Sequence, residues 1–155
     1  MPKIFLTMLL VVLSTLVGCK NDSILFSPSS LSIKTLVGIN DGKGVKTTDR
    51  AGFLVFGPYV GISPGVYRLD IHGSLDGDAP VLGSFDVVSE KGGRIHTSFP
   101  IYRNMVSADG SVIARAYFEI QQKVDDAEFR IVVDAGAKGV FRGYALHRIS
   151  DLPKD

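Results

Sequence analysis

The chain has 155 residues, enough for one domain with a core of its own. Its single cysteine excludes an internal disulfide, so any fold must hold by packing alone. A formal net charge of +1 excludes a broadly basic surface drawn to nucleic acid or anionic lipid.

Lys3 is followed by an uncharged, largely apolar stretch from Ile4 to Val17. A positive end leading into a short apolar run is the pattern of a secretory signal peptide. The run is shorter than the roughly 20 residues a spanning helix needs. It ends in Leu16-Val17-Gly18-Cys19, which resembles the lipobox of bacterial lipoproteins: an aliphatic residue, a variable one, a small one, then cysteine. The resemblance implies cleavage before Cys19, a diacylglycerol on its thiol and a further acyl chain on its freed amine. Each buried methylene contributes about 0.8 kcal/mol, so several chains make a durable anchor. Loss of Lys3 with the leader leaves equal numbers of basic and acidic residues. Lys20, rather than Asp, follows the cysteine, which by resemblance to enterobacterial sorting implies the outer membrane rather than the inner. The expected organisation is a signal peptide over 1–18, a lipidated tether over 19–30, a sandwich domain over 31–149 and a tail over 150–155.

Lys20 to Ser30 is polar and ends in Ser27-Pro28-Ser29-Ser30, as a tether would. Ile24-Leu25-Phe26 interrupts it and reads as either an edge strand or a contact with the lipid surface. From Leu31 onward the pattern is strand and turn. Leu31 to Ile39 is rich in β-branched residues, and Asn40 to Gly44 is a turn cluster. Phe53 to Phe56 is a short apolar run. Gly65 to His72 alternates, with Tyr67, Leu69 and Ile71 on one face and Arg68, Asp70 and His72 on the other. Asp76-Gly77-Asp78 is a further turn. Val81 to Val88, Arg94 to Ile101, Ser111 to Gln122, Glu128 to Asp134 and Val140 to Ile149 read as strands, and Asp109-Gly110 as a hairpin turn. No segment beyond the leader has a capped helical period. Eight or nine strands at this spacing predict an all-β fold: an antiparallel β-sandwich, jelly-roll-like.

Catalytic motifs fail on mechanism. Gly61-Ile62-Ser63-Pro64-Gly65 has the letters of a nucleophile elbow, but a strand follows where a helix is required. Pro64 also lacks the N–H that an oxyanion hole would need. Gly42-Lys43-Gly44 lacks the rest of a P-loop. His72, His96 and His147 have no metal-ligand spacing. Asp76/Asp78 and Asp125/Asp126 have the oxygen chemistry of Ca²⁺ ligands without EF-hand spacing, and read as solvated turns. The chain therefore reads as a non-enzyme without a cofactor or metal, a structural Ca²⁺ being unsupported.

Two stretches carry a resemblance of the domain itself. Gly52 to Leu69, GFLVFGPYVGISPGVYRL, resembles the opening of galactose-binding-like β-sandwich modules found beside bacterial glycan enzymes. In these an apolar strand runs into Gly-Pro-Tyr, then a Pro-Gly turn, then a strand with Tyr and a basic residue. Ala127 to Val133, AEFRIVV, resembles their second half, and the likeness spans roughly Thr47 to Ile149. It implies a carbohydrate-binding module. Sugar sites stack an apolar sugar face on an aromatic ring and bond the hydroxyls through planar polar groups. With no Trp in the chain, the stacking candidates are Tyr59, Tyr102, Tyr117 and Tyr144, and the donors are Arg68, Arg103 and Arg130. The site set is Tyr59, Tyr102, Arg103 and Arg130, with Cys19 for lipid attachment. Each of the four sandwich residues also has a structural reading. Tyr59 would be a corner whose phenol bonds a carbonyl, and Arg130 a strand-face ion pair with Glu119 or Glu128.

The expected protein is a lipid-anchored envelope protein whose partners are the membrane and a glycan, with no nucleic acid. The alternative is an assembly lipoprotein that holds an envelope protein partner. A row of Tyr and Arg over a sheet would favour sugar, and a contiguous apolar patch would favour protein.

Overall fold

The computed structural model describes residues 23–30 and 32–153. The leader, Cys19 and Lys20 lie outside the described residues. In chain order the strands are β1 (Ser23–Phe26), β2 (Ile39–Asn40), β3 (Val45–Lys46), β4 (Gly52–Val55), β5 (Pro58–Ile62), β6 (Gly65–Asp76), β7 (Val81–Ser89), β8 (Arg94–Tyr102), β9 (Val112–Ile120), β10 (Val124–Val133) and β11 (Lys138–Ile149). Among the described residues there is no α-helix, only short 3-10 turns at Glu90–Gly92 and Arg103–Met105.

Two antiparallel sheets face each other. One has the order β2-β3-β11-β6-β9, with β1 paired to β11 beyond β3 on the same flank. The other has the order β4-β10-β7-β8, with β5 paired to β10 beyond β4. The predicted all-β antiparallel sandwich is the observed fold. Period-two alternation drives it: Tyr67, Leu69 and Ile71 of β6 and Phe129, Ile131 and Val133 of β10 are all buried between the sheets. Tyr144 lies in this core, 5.3 Å from Phe129 edge-on and 4.6 Å from Phe141. Such pairings add to burial because ring edges and faces carry opposite partial charge. At Gly83 an added Cβ would sit 2.1 Å from the Val132 carbonyl oxygen, so glycine lets β7 lie close against β10.

Of the two readings of Ile24 to Phe26, the edge strand is the one observed: with Ser23 they form β1 and pair with Tyr144 to His147. This strand lies inside the span expected as a tether, so the sandwich takes in residues before 31. Three elements differ from the sequence reading. Residues 32–38 do not form the expected strand. They cross over β4 by bends, with Lys34 bridged to Phe56, the Leu36 and Val37 N–H groups donating to Phe53 O, and Thr35 Oγ1 accepting from Gly38 N. Asp109-Gly110 is not a hairpin, because β8 and β9 belong to different sheets. Its loop carries the chain from one sheet to the other, with Asp109 accepting from Ser107 Oγ, Ser111 Oγ and Ser111 N. Finally, β5 follows β4 along β10, where the sequence showed only Gly/Pro turns. The Asn40–Gly44 turn is as expected: Asp41 accepts from Lys43 N and Gly44 N between β2 and β3.

The β8 and β9 edges meet on one side of the sandwich. On the other side β1 and β5 border an open groove.

Candidate functional site

The outer face of the β4/β5-β10-β7-β8 sheet brings Tyr59 and Arg130 together. Glu128 and Arg130 alternate outward on β10, while Ala127, Phe129 and Ile131 point into the core. Arg130 faces Asp86 directly across the β10–β7 ladder. Its Nε donates to Asp86 Oδ1 at 2.7 Å and its Nη2 to Asp86 Oδ2 at 2.5 Å. The pair is therefore a two-point fork, only about a fifth exposed on each side, which locks the guanidinium plane. Asp86 holds the Arg130 pKa above its ordinary value. The ion-pair partner is Asp86 rather than Glu119 or Glu128. The guanidinium also lies 5.7 Å from the Phe53 ring centre.

Tyr59 is held differently. It has φ +61°, the left-handed region that a residue with a Cβ rarely adopts. Just before it, Gly57 has φ +117°, and a Cβ there would meet Ser32 O at 2.1 Å. The register between β10 and β5 shifts at Ala127/Glu128, beside this point. The Tyr59 phenol donates to Glu128 Oε1 at 3.1 Å, and Lys34 Nζ sits 5.4 Å above its ring. Partial burial, then the bond to Glu128, raises the phenol's pKa. The ring remains 43 % exposed. The corner role expected of Tyr59 falls instead to Tyr67, whose phenol donates to Ser63 O at 2.9 Å between β5 and β6.

Leu36, Phe53, Phe56, Tyr59, Glu128 and Arg130 line a shallow cup of about 250 Å³. It offers one partly exposed phenol ring, two further rings meeting edge-on at 5.9 Å, and a carboxylate and guanidinium fixed at its wall. Those groups are the ones that stack a sugar face and bond its hydroxyls. Phe53, Phe56 and Leu36 escaped the sequence reading because apolar strand residues look like core until the sheet face is known.

The other expected residues lie elsewhere. Tyr102 ends β8 opposite Val81, at the far end of β7 from Val88, which faces Glu128; the separation is roughly 20 Å. Its ring is 46 % exposed. Arg103 donates to Gly77 O at 3.1 Å and lines a cleft of about 540 Å³ with Asp49, Asp76, Asp78 and Lys138. Tyr117 is partly exposed on β9, opposite Arg68 on the outer face of the other sheet. Around it, Arg68, Arg115 and His147 surround the nearly buried Asp70. Tyr144 is 1 % exposed, so its ring cannot meet a ligand; it packs in the core because β11 turns that face inward.

His96 Nε2 lies 2.8 Å from Ser89 Oγ, and His147 Nε2 lies 3.3 Å from Asp70 Oδ2. The hydroxyl and the carboxylate thus meet different histidines. Burial lowers the His96 pKa. Among the described residues no three His, Cys, Asp or Glu side chains group as metal ligands. Asp126 instead accepts from Glu90 N and Lys91 N, and Asp125 pairs with Lys123.

No family model matches the chain, and no curated protein does. The C-terminal CBM6 carbohydrate-binding module of LamC, a marine laminarinase from Zobellia galactanivorans, superposes with a TM-score of 0.55 at 9 % identity. The match covers 82 % of this chain and 100 % of that one. The catalytic domain of GH87 α-1,3-glucanase in complex with nigerose matches with a TM-score of 0.45 at 12 % identity, over 86 % of this chain and 29 % of that one. The first likeness places the fold among two-sheet sandwiches of the kind built by that module.

Proposed function

We propose that this chain is a lipid-anchored envelope protein, held by Cys19 on the outer membrane, whose sandwich binds carbohydrate without catalysis. The observation that carries the binding role is the Tyr59 ring: displayed to solvent from a strained backbone, fixed by Glu128, and flanked by the Asp86-locked guanidinium of Arg130. Strained conformations persist where surrounding structure over-determines them, and they cluster at ligand sites. The fold shared with a CBM6 module supports the same reading. Tyr59 supplies the stacking face, Phe53 and Phe56 the apolar floor, and Arg130 and Glu128 the polar contacts.

The test is a titration of the purified chain with bacterial envelope glycans and laminarin, read by glycan array and calorimetry. Saturable binding that Tyr59→Ala abolishes supports the proposal. A flat panel, or binding that survives Tyr59→Ala unchanged, sinks it. Mass spectrometry of the membrane-purified chain tests the anchor separately.

A second reading, a protein partner, is favoured by the exposed Leu36 of the cup and Ile39 of β2, 64 % and 61 % exposed. Co-purification of a stoichiometric partner, lost in an Ile39→Asp chain that still binds glycan, would assign the β2 edge to protein.

A further inference from the structure

The groove between β1 and β5 is the least finished part of the sandwich. Ile24 lies directly opposite Leu146 on the β1–β11 ladder and shares its inward face. Leu146 is 2 % exposed, yet Ile24 is 53 % exposed. An inward-facing isoleucine is left open because no side chain of the described residues fills the space between it and β5. That space is about 440 Å³, within the range of roughly 300–1,000 Å³ typical of small-molecule sites. Ile24, Phe26, Val60, Ile62, Tyr67 and Leu146 supply its apolar walls. Arg148, the charged residue of the lining, is engaged with Pro64 O at 2.8 Å.

The wall strand β1 is also the strand that leads back to Cys19. Ser23 opens β1 opposite His147, next to Arg148 at the groove's end. Three residues separate Ser23 from Cys19, so the two Cα atoms are at most about 14 Å apart at full extension. A chain attached at Cys19 can therefore turn back into the groove. A hydrocarbon chain fills such a space without bringing in polar groups that need partners. We infer that the β1–β5 groove holds one acyl chain of the lipid on Cys19. The remaining chains then hold the membrane, and the sandwich lies against the lipid surface with β1 as its contact.

This inference rests on the lipid-anchor reading of Cys19 and is independent of glycan binding. Ile24 faces the groove and is left open by its neighbours, so a larger side chain there has room. Ile24→Trp would thus fill the groove from β1. The experiment compares the full chain, produced in a lipidating bacterium and purified in detergent, with its Cys19→Ala variant, and repeats the comparison in a pair that also carries Ile24→Trp. Mass spectrometry reads the lipid, and amide hydrogen exchange reads β1 and β5. The expected result is lipid on Cys19 and roughly tenfold slower exchange at residues 25–26 and 60–62 than in Cys19→Ala, with no such difference within the Ile24→Trp pair. Lipid present with equal exchange in the first pair overturns the groove assignment while leaving the anchor. A difference that persists within the Ile24→Trp pair also overturns it. An unmodified Cys19 overturns both.

Discussion

Replacing Tyr59 by Gly and by Ala separates backbone strain from ring contacts. Both substitutions remove the phenol that bonds Glu128 and the ring beneath Lys34, so those losses cancel in the comparison. What remains is the backbone at φ +61°. An L-residue there costs roughly 1–2 kcal/mol, whereas glycine adopts it freely. Against this, glycine gains unfolded-state entropy worth about 0.5–1 kcal/mol relative to Ala. Tyr59→Gly should therefore be more stable than Tyr59→Ala by about 0.7 kcal/mol, the difference between the middles of the two ranges, reversing the order seen inside an ordinary strand. For a domain of this size that is roughly 3 °C in Tm. Urea midpoints at constant m-value and thermal unfolding measure it. An Ala variant as stable as the Gly variant, or more so, would refute the claim that the ring is displayed from a strained position. If strain is retained for binding, both variants also lose the glycan.

Three further outcomes test the surrounding structure. Asp86→Asn should destabilise the fold by about 1–3 kcal/mol, between the values for exposed and buried pairs, because Arg130 loses its two-point partner; a urea midpoint within error of wild type would show that the fork contributes nothing. Gly83→Ala should cost more than about 1 kcal/mol, since its Cβ would press on Val132 O, and an unchanged Tm would contradict that packing. Hydrogen bonds from Ser107 and Ser111 lower the Asp109 pKa from its ordinary 3.8 to about 2. Its contribution is therefore present above pH 3.8 and lost as pH falls toward 2. Asp109→Asn should show a shallower loss of Tm across that window than wild type, and parallel acid titrations would exclude the effect.

The strands that carried the period-two signal, β6 and β10 above all, needed no tertiary information. Burial on one face imposes alternation on the residues themselves, and Tyr67, Leu69, Ile71, Phe129 and Ile131 obey it. The two-sheet sandwich followed from the number and spacing of such runs. The Asn40–Gly44 turn was also legible, because its Asp and Gly residues bond and bend locally. β1 was legible only as one of two options, because its four residues pair with a strand more than a hundred positions later, and no local pattern records that pairing. Asp109-Gly110 misled for the converse reason: the turn chemistry is real, but whether it joins neighbours in one sheet or carries the chain between two is a global property.

The candidate site divides along the same line. Sequence singled out Tyr59 and Arg130 by residue type, within short strand-and-turn stretches. It also grouped them with Tyr102 and Arg103, which lie at the opposite end of β7, and proposed Tyr144, which faces the core. Only the tertiary structure fixed which ring faces solvent, paired Arg130 with Asp86, and brought Leu36, Phe53 and Phe56 to the cup. The physical reason is that a side chain's face depends on register, and register is set by strands far apart in the chain. The leader and its cysteine are the opposite case, since their signal is local and linear and the sequence alone carries that reading.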